Sequence, residues 1–317
     1  MSKIISNIDL AANCIRDGKL VAFPTETVYG LGADAFNKEA VAKIFSTKER
    51  PAFNPLIVHI ANISDLEKLF VKVDAQLLKL VEAFWPGPLT VVAQKHSSVP
   101  DIVTAGLNTV AVRMPANNTA LELINKAGTP IAAPSANKFG LLSPTTPEHV
   151  KKQLPNIEYI LDGELPDVGI ESTVIELGNG KFKLLRPGVV VSHDIEKVIP
   201  QNHDADNNLQ IKSPGLLKSH YSPQKPIYLK GYEPENIANL KVGFIAFEKV
   251  ECPDKFHRIE ILSAKGNLNE AAANLFGAMH RLEDSDVDII IAEPVADTGI
   301  GMAIMDRLNK AVYQYNK

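Results

Sequence analysis

The chain has 317 residues, of which 45% are hydrophobic and 22% are charged, and its formal net charge is −4. This composition is typical of a folded globular protein, and the length exceeds what one hydrophobic core usually holds, so we expect two domains. Because the charge is near neutral, tight sequence-independent binding of nucleic acid is not expected. No run approaches the roughly 18 apolar residues that cross a bilayer, and the first residues become polar too early for a signal peptide. We therefore expect a cytoplasmic protein without a membrane partner.

Strands and helices are predicted to alternate along the first two hundred residues. Short apolar runs indicate strands at residues 20–23, 56–60, 89–93, 110–113 and 131–133. Apolar residues at helical spacing indicate helices at residues 40–45, 64–70, 77–84, 119–127 and 148–154. Two strand-like segments flanking residues 178–180 indicate a β-hairpin. We expect these elements to form one α/β domain over residues 1–200.

A second, smaller domain is predicted after a linker. Residues 201–208 are polar and cannot contribute to a core, so we predict a linker over residues 201–225. Apolar runs at residues 227–229, 242–247 and 287–292 then indicate strands of the kind that a parallel sheet buries on both faces, and helices are predicted at residues 269–282 and 304–313. We expect a Rossmann-like α/β domain over residues 226–317.

Two cations stand one residue apart just before the turn at Pro51. Lys48 and Arg50 cannot neutralise each other, and this pairing is suited to gripping a phosphate or carboxylate group. The alternative is structural, because cations in the last turn of a helix complement its dipole and its open carbonyls.

Arg113 is a second candidate, because it follows the apolar residues 110–112. Burying an unpaired cation is costly, so this arginine needs a partner. That partner is either a structural carboxylate or the carboxylate of a ligand.

Small and hydroxylated residues mark further candidate loops. In the run at residues 24–32, Thr25 and Thr27 can bond a small polar ligand, while Gly30 and Gly32 keep the loop thin. The alternative is that this run is only a connection between a strand and a helix. Ser135 and Asn137 lie in a predicted strand-to-loop turn, where hydroxyl and amide groups can bond phosphate oxygens.

Together these runs resemble the Lys-x-Arg and Ser-x-Asn signature of the Sua5/YrdC/YciO family, and the linker and residues 299–308 resemble its longer, two-domain Sua5 form. The resemblance implies a YrdC-like twisted open sheet with a concave cleft. It also implies a nucleotidyltransferase that makes L-threonylcarbamoyladenylate from L-threonine, bicarbonate or CO2 and ATP, and releases pyrophosphate. A downstream threonylcarbamoyl transferase complex then uses the product in the N6-threonylcarbamoyladenosine modification of tRNA.

The resemblance further implies roles for individual residues. Lys48 and Arg50 are the expected catalytic cations on the transferring phosphates. The expected ATP-binding residues are Arg50, Asn54, Thr109, Ser135, Asn137, Ser143, Arg186 and Tyr221. The expected threonine-binding residues, with the choice between the last two left open, are Thr27, His59, Arg113, Ala133, Ser172 and Thr173.

No protein-bound metal is expected. The sequence has neither a Gly-x-x-x-x-Gly-Lys-Ser/Thr loop nor a Cys/His cluster at zinc spacing, and its two cysteines, Cys14 and Cys252, are far apart. Mg²⁺ is therefore expected to arrive with the ATP phosphates.

The end of the linker has a different character from its start. Residues 213–223 contain proline, glycine and apolar side chains, so we predict that they fold over the cleft as a lid with Tyr221 against the nucleotide. The alternative is a spacer that packs on the second domain.

Two other functions stay open. One is a tRNA-binding or double-stranded-RNA-binding module of the same fold that makes no adenylate. The other is the carbamoyl-handling form of the fold in hydrogenase maturation factors, which adds an acylphosphatase-like domain and zinc-finger cysteines that this sequence lacks.

Overall fold

The computed structural model describes residues 2–202, here the N-terminal region, and residues 220–315, here the C-terminal region. The elements of the N-terminal region are β1 (Lys3–Ile5), α1 (Ile8–Arg16), β2 (Val21–Phe23), β3 (Gly30–Asp34), α2 (Lys38–Lys48), β4 (Ile57–His59), a 3₁₀ turn (Ile63–Asp65), α3 (Leu66–Leu69), α4 (Ala75–Phe84), β5 (Leu89–Gln94), α5 (Asp101–Thr104), β6 (Thr109–Arg113), α6 (Asn118–Ala127), β7 (Ile131–Ala132), α7 (Pro147–Gln153), β8 (Tyr159–Leu161), β9 (Thr173–Gly178), β10 (Lys181–Arg186) and α8 (Ser192–Glu196). Those of the C-terminal region are β11 (Ile227–Leu229), β12 (Val242–Ala246), a 3₁₀ turn (Pro253–Lys255), β13 (Arg258–Ile261), α9 (Leu268–Glu283), β14 (Ile289–Ala292) and α10 (Ile300–Val312).

The N-terminal region is built on an open, mixed sheet of ten strands in the order β1-β8-β2-β3-β7-β4-β6-β5-β9-β10. Successive residues of a strand point to opposite faces, so both faces carry a core. In β2, Ala22 belongs to one apolar cluster, while Val21 and Phe23 belong to another that also takes side chains from α1 and α6. β4 and β6 run parallel and pair His59 with Arg113, which brings two basic side chains to the same end of the sheet.

The C-terminal region is a four-stranded parallel sheet in the order β11-β14-β12-β13. Residues of α9 and α10 pack on it in one apolar cluster, which also contains Val28, Leu142 and Ile170 of the N-terminal region. Across the same boundary His149 stacks on His280 with 3.7 Å between ring centroids, and Lys152 forms an ion pair with Glu283 at 3.0 Å. The two regions therefore share a core and are not loosely tethered.

The structure confirms the expected fold class, a large open α/β sheet with a second, parallel α/β sheet. The predicted strands at residues 20–23, 56–60, 89–93, 110–113 and 131–133 correspond to β2, β4, β5, β6 and β7, and the predicted hairpin is β9 and β10. Asn179 and Gly180 have φ of 50° and 75°, as a tight hairpin turn requires.

Two local predictions are wrong. Residues 24–32 are not all loop, because β3 begins at Gly30. A Cβ on Gly32 would lie 2.7 Å from both Phe23 and Ile131, so this glycine permits close packing within the sheet. Residues 64–70 do not form one helix. They form a 3₁₀ turn and a single α-turn, because Phe70 already pairs with Lys95 in an extended bridge.

Short elements escaped prediction. β1 and β8 have three residues each, too few to show a period, and α1 begins at an Asn7 cap whose side chain accepts the Leu10 amide. Within residues 2–202 and 220–315, no helix is long and apolar enough to cross a membrane.

Candidate active site

A cavity lies where β4, β6 and β10 end, beside the connections that precede β3 and follow β7. The C-terminal region contributes to its wall through His220 and Tyr221, near the end of the predicted linker. The lining residues are Thr25, Thr27, Val28, Gly30, Arg50, Ile57, His59, Arg113, Ala133, Pro134, Ser135, Glu171, Ser172, Arg186, His220 and Tyr221. Nine of them were predicted as site residues, although they come from nearly the whole length of the chain.

Lys48 does not line this cavity but lies behind the turn that follows β7. It is the last residue of α2, and Glu49 ends the helix in the left-handed conformation. Lys48 is 1% exposed, and its Nζ donates to the backbone carbonyls of Ser135, at 2.6 Å, and Asn137. Burial, together with the nearby charge of Arg50, lowers the pKa of Lys48 well below its ordinary value. Lys48 thus fixes the backbone of the predicted nucleotide loop.

Arg50 lines the cavity and is held by the loop that follows it. Its Nε donates to the Asn54 carbonyl at 3.1 Å and its Nη2 to the Pro55 carbonyl at 2.9 Å. In the described ranges it contacts no carboxylate. Burial lowers the pKa of Arg50, but a guanidinium keeps its proton at neutral pH. Arg50 therefore presents an uncompensated positive charge.

Asn54 and Asn137 stand behind the lining. The Asn54 amide is fully buried, and neither its nitrogen nor its oxygen has a hydrogen-bond partner among the described residues. Asn137 donates to the carbonyls of Lys138 and Leu141, which shapes the turn.

Thr109 is not brought to the cavity, because it stands four residues before Arg113 on β6, about 13 Å away at the usual strand rise.

Arg113 has the structural carboxylate that the sequence left as one alternative. Its Nη2 lies 2.5 Å from Glu26 Oε2, its Nη1 donates to Thr27 Oγ1 at 2.9 Å, and its Nε donates to the Gly87 carbonyl at 3.3 Å. The arginine is 3% exposed and also lines the cavity. The ion pair fixes the guanidinium and leaves a ligand carboxylate as an additional partner.

His59 stands beside Arg113 at the end of β4. Its ring meets Phe23 edge-on with 6.0 Å between centroids, and its Nδ1 has no partner in the described part of the chain. Burial, reinforced by the charge of Arg113, lowers the pKa of His59 to about 3. The imidazole is therefore neutral at pH 7 and can exchange a hydrogen bond with a ligand.

The start of the β9–β10 hairpin distinguishes Ser172 from Thr173. Arg186 donates through Nε to the Ser172 carbonyl at 3.1 Å and through Nη2 to its hydroxyl at 3.2 Å, and that hydroxyl lies 2.7 Å from Thr90 Oγ1. The Thr173 hydroxyl instead donates to the Val190 carbonyl at 2.8 Å, because neighbouring strand residues face opposite ways. Ser172 faces the cavity and Thr173 does not.

Glu171 is a lining residue to which the sequence assigned no role. Its Oε1 accepts the Ser143 hydroxyl at 2.5 Å, and its Oε2 accepts Arg307 Nε at 2.9 Å. Burial opposes ionisation, but the charges of Arg307 and Arg186 outweigh it and hold the pKa of Glu171 below its ordinary value. Ser143 itself is buried behind the lining.

His220 and Tyr221 cover the cavity from the C-terminal region. The His220 ring meets Phe139 edge-on at 5.7 Å and Tyr221 at 4.1 Å between centroids. Tyr221 has φ of 63°, and the Ser222 amide donates to the Gly140 carbonyl at 2.9 Å, which ties the segment to the N-terminal region. Of the predicted lid, residues 213–219 lie outside the described residues.

The cavity as a whole favours anions. Arg50, Arg113 and Arg186 line it, whereas Glu171 is the one carboxylate among its described lining residues. Within residues 2–202 and 220–315, no group of three His, Cys, Asp or Glu side chains is placed to hold a metal ion.

Glu26, Glu171, His220 and Arg307 were missed as contributors, although one signal pointed to Arg307. It shares a helical stripe with Ile304, Leu308 and Ala311, which predicts a buried cation that needs a partner.

Two family models match the chain. The family model Sua5_yciO_yrdC, described as "Telomere recombination", matches residues 13–188. The model Sua5_C, described as "Threonylcarbamoyl-AMP synthase, C-terminal domain", matches residues 190–312. The chain belongs to the Sua5/YciO/YrdC family, as the resemblance predicted.

Similar proteins extend over nearly the whole chain. A threonylcarbamoyl-AMP synthase of Pyrococcus abyssi is 43% identical over 317 residues, which cover 96% of this chain and 93% of the relative. The protein of the same name from Bacillus subtilis is 43% identical over 316 residues, covering 95% and 91%. The structure superposes on the crystal structure of P. abyssi Sua5 complexed with L-threonine with a TM-score of 0.86. The two sequences are 41% identical, and the match covers 98% of this chain and 94% of that one.

Proposed function

We propose that this chain synthesises L-threonylcarbamoyladenylate from L-threonine, bicarbonate or CO2 and ATP, with release of pyrophosphate. The observation that carries the proposal is a cavity holding both an ion-paired arginine, Arg113, and an arginine without a carboxylate, Arg50. The first suits the carboxylate of an amino acid and the second suits a polyphosphate. Full-length similarity to proteins named threonylcarbamoyl-AMP synthase supports the same reaction.

We assign the nucleotide to the residues around Arg50. Arg50, Ser135, Arg186 and Tyr221 would contact ATP directly, because they line the cavity. Lys48 would act by holding the turn that carries Ser135. The remaining predicted ATP-binding residues, which do not line the cavity, are Asn54, Thr109, Asn137 and Ser143.

We assign L-threonine to the residues around Arg113. The guanidinium would bind the threonine carboxylate, with Thr27, His59 and Ser172 offering neutral hydrogen-bonding groups and Ala133 leaving room for the substrate. The crystal structure of P. abyssi Sua5 in complex with L-threonine supports a threonine site in this family. Thr173 is the weaker candidate, because its hydroxyl is already bonded to Val190.

The chemistry needs positioning and charge more than covalent help. The threonine amine adds to the carbon of CO2 and loses a proton, which gives a carbamate. A carbamate oxygen then attacks the α-phosphorus of ATP, an O–P bond forms, and the bond from that phosphorus to the pyrophosphate oxygen breaks. Arg50 and Arg186 would stabilise the charge that develops on the phosphate oxygens.

Mg²⁺ would enter with the ATP phosphates and neutralise part of their charge. The donor set of the cavity fits a phosphate-bound ion better than a protein cage, because both oxygens of Glu171 are already bonded.

The domain limits also belong to this proposal. We assign residues 1–200 to a catalytic domain, 201–225 to a linker and lid, and 226–317 to a Sua5-type domain. The position of Tyr221 on the cavity wall supports the lid, which would exclude water from the mixed anhydride. The downstream transferase complex on tRNA and the cytoplasmic location stay predictions from the sequence.

A pyrophosphate-release assay with each of the twenty amino acids, with and without bicarbonate, tests the function. We expect release that depends strictly on L-threonine and bicarbonate, with threonylcarbamoyladenylate as the product. Pyrophosphate release without threonine, or tRNA binding with no adenylate formed, would contradict the proposal.

A further inference from the structure

Arg307 crosses from the C-terminal region to the wall of the cavity. It stands on α10 and is 0% exposed, and its Nε donates to Glu171 Oε2 at 2.9 Å while its Nη2 donates to the Glu171 carbonyl at 3.2 Å. Its Nη1 donates to the Pro187 carbonyl and to Asp306, each at 2.8 Å. The guanidinium thus engages both the side chain and the backbone of one lining residue, at a sequence separation of 136 residues.

The same guanidinium reaches the residue that covers the cavity. Its central carbon lies 5.5 Å from the centre of the Tyr221 ring, within the range of a cation–π contact. α10 also supplies backbone acceptors to the neighbouring segment, since the Ser222 hydroxyl donates to the Ala311 carbonyl at 2.9 Å. One helix of the C-terminal region therefore contacts both the wall and the cover of the cavity.

We propose that Arg307 is a positioning residue through which the C-terminal domain completes the active site, by fixing Glu171 in the wall and Tyr221 in the cover. This inference rests on the proposed function and gives the C-terminal domain a role in catalysis itself. The Glu171 carboxylate, once fixed, also fixes the Ser143 hydroxyl, which donates to its Oε1 at 2.5 Å. Losing Arg307 would release two residues of the cavity at once, Glu171 and Tyr221, and the Glu171 side chain would then hold Ser143 less firmly.

Lysine cannot take this role. An ammonium is a point donor on a flexible stem, whereas the guanidinium presents its donors in a fixed fork that here reaches Glu171, Pro187 and Asp306. If Arg307 served stability alone, it would only need to balance the buried charge of Glu171, and its geometry would not matter. Removing both charges together would then restore stability and turnover alike. If Arg307 positions the site, the same double change would restore stability but not turnover.

The test compares Arg307→Met, Glu171→Gln and the double variant with the wild-type chain. Arg307→Met removes the ion-pair partner of the buried Glu171, and Glu171→Gln leaves Arg307 with Asp306 as its remaining carboxylate. The double variant removes both charges of the pair, so its midpoint of thermal unfolding should lie closer to that of the wild type than the midpoint of Arg307→Met does. If Arg307 positions the site, the double variant should still release pyrophosphate at least about tenfold more slowly, because residue 171 lacks the guanidinium that orients it and the Tyr221 ring lacks its cation contact.

A second arginine–glutamate pair of the C-terminal region provides a matched control. Arg281 on α9 donates through Nε to Glu260 at 2.8 Å, but this pair lies at the surface and away from the cavity. Arg281→Met with Glu260→Gln should leave turnover within about twofold of the wild type.

Two results of the turnover assay would overturn the inference: wild-type turnover in Arg307→Met, or recovery of turnover together with stability in the double variant. Calorimetric affinities for ATP and L-threonine give a second readout. We expect the ATP affinity of the double variant to fall by about tenfold and that for threonine to change less, and an unchanged ATP affinity would also count against the inference. Failure of the proposed function is distinguishable, because the wild-type chain would then make no adenylate.

Discussion

Two clusters of the cavity hold an arginine in opposite ways. In the Arg113 cluster, here Glu26, Thr27, His59 and Arg113, the guanidinium faces a buried carboxylate. In the Arg50 cluster, here Lys48, Arg50, Asn54, Ser135 and Asn137, the buried side chains of Lys48 and Arg50 donate to backbone carbonyls, and the Arg50 guanidinium keeps its charge. A carbonyl satisfies the donor without cancelling the charge. The Arg50 cluster therefore keeps its positive charge for a polyanion, while the Arg113 cluster is nearly neutral, as suits a zwitterion.

The largest expected effect is a loss of stability when the buried Arg113 loses its carboxylate partner, Glu26. Glu26→Ala leaves Arg113 buried beside a neutral group, so we expect a loss of about 3–5 kcal/mol in the free energy of unfolding, measured with denaturant. The control is Glu26→Ala with Arg113→Met, which removes both charges and should recover most of that stability. Wild-type stability in the single variant would show that the ion pair does not balance the charge.

Next in size is the loss of the uncompensated cation. Arg50→Ala should lower kcat/KM for ATP in the pyrophosphate-release assay by about 10–100-fold, because charge-assisted contacts to the phosphates disappear. Lys19→Ala is a suitable control, since Lys19 pairs with Glu158 on the surface. If the folded Arg50 variant turns over like the wild type, the nucleotide does not bind in the Arg50 cluster.

A smaller and more selective effect is expected at Arg113. Arg113→Lys should weaken L-threonine binding by about tenfold and leave ATP binding unchanged, because an ammonium cannot offer two parallel hydrogen bonds to a carboxylate. Calorimetric titration of each ligand measures the two affinities separately. An equal loss for both ligands would mean that Arg113 serves only as the partner of Glu26.

The smallest effect concerns the pH dependence of stability. The pKa of His59 is about 3 in the folded chain and 6.5 ordinarily, so between these values the unfolded chain binds a proton that the folded chain does not. Stability should therefore fall as pH drops below 6.5, and His59→Gln should reduce that slope by up to about 1.4 kcal/mol per pH unit. Unfolding free energies at pH 5, 6 and 7 measure it, with the exposed His193→Gln as control. An unchanged slope would mean that His59 gains its proton over the same pH range in the folded chain as in the unfolded chain.

Local pattern predicted much of the fold and part of the site. Apolar periodicity located the central strands and most of the longer helices, because burial of one face imposes that period directly on the sequence. It failed at β1 and β8, which are too short to show a period, and at residues 64–70, where pairing of Phe70 with Lys95 overrides the helical spacing.

The contacts of the candidate residues could not be predicted from the sequence. Arg50, Arg113 and Ser135 line the cavity, and their ligand-binding roles stay predictions. Lys48 was predicted on the phosphates, yet its ammonium is bonded to carbonyls 87 and 89 residues further along the chain. Nothing in the local sequence distinguishes these two placements.

The sequence by itself determined the order of most strands and helices, the two α/β units and the residue types of an anion site. Each of these depends on the spacing of residues that are close together in the chain. The tertiary structure decided which charges meet: Glu26 with Arg113, and Glu171 with Arg307. A buried charge must find a partner, but the pairing of distant strands and the packing of α10 against the N-terminal region select which one. That selection depends on contacts between residues far apart in the chain, which no local pattern encodes.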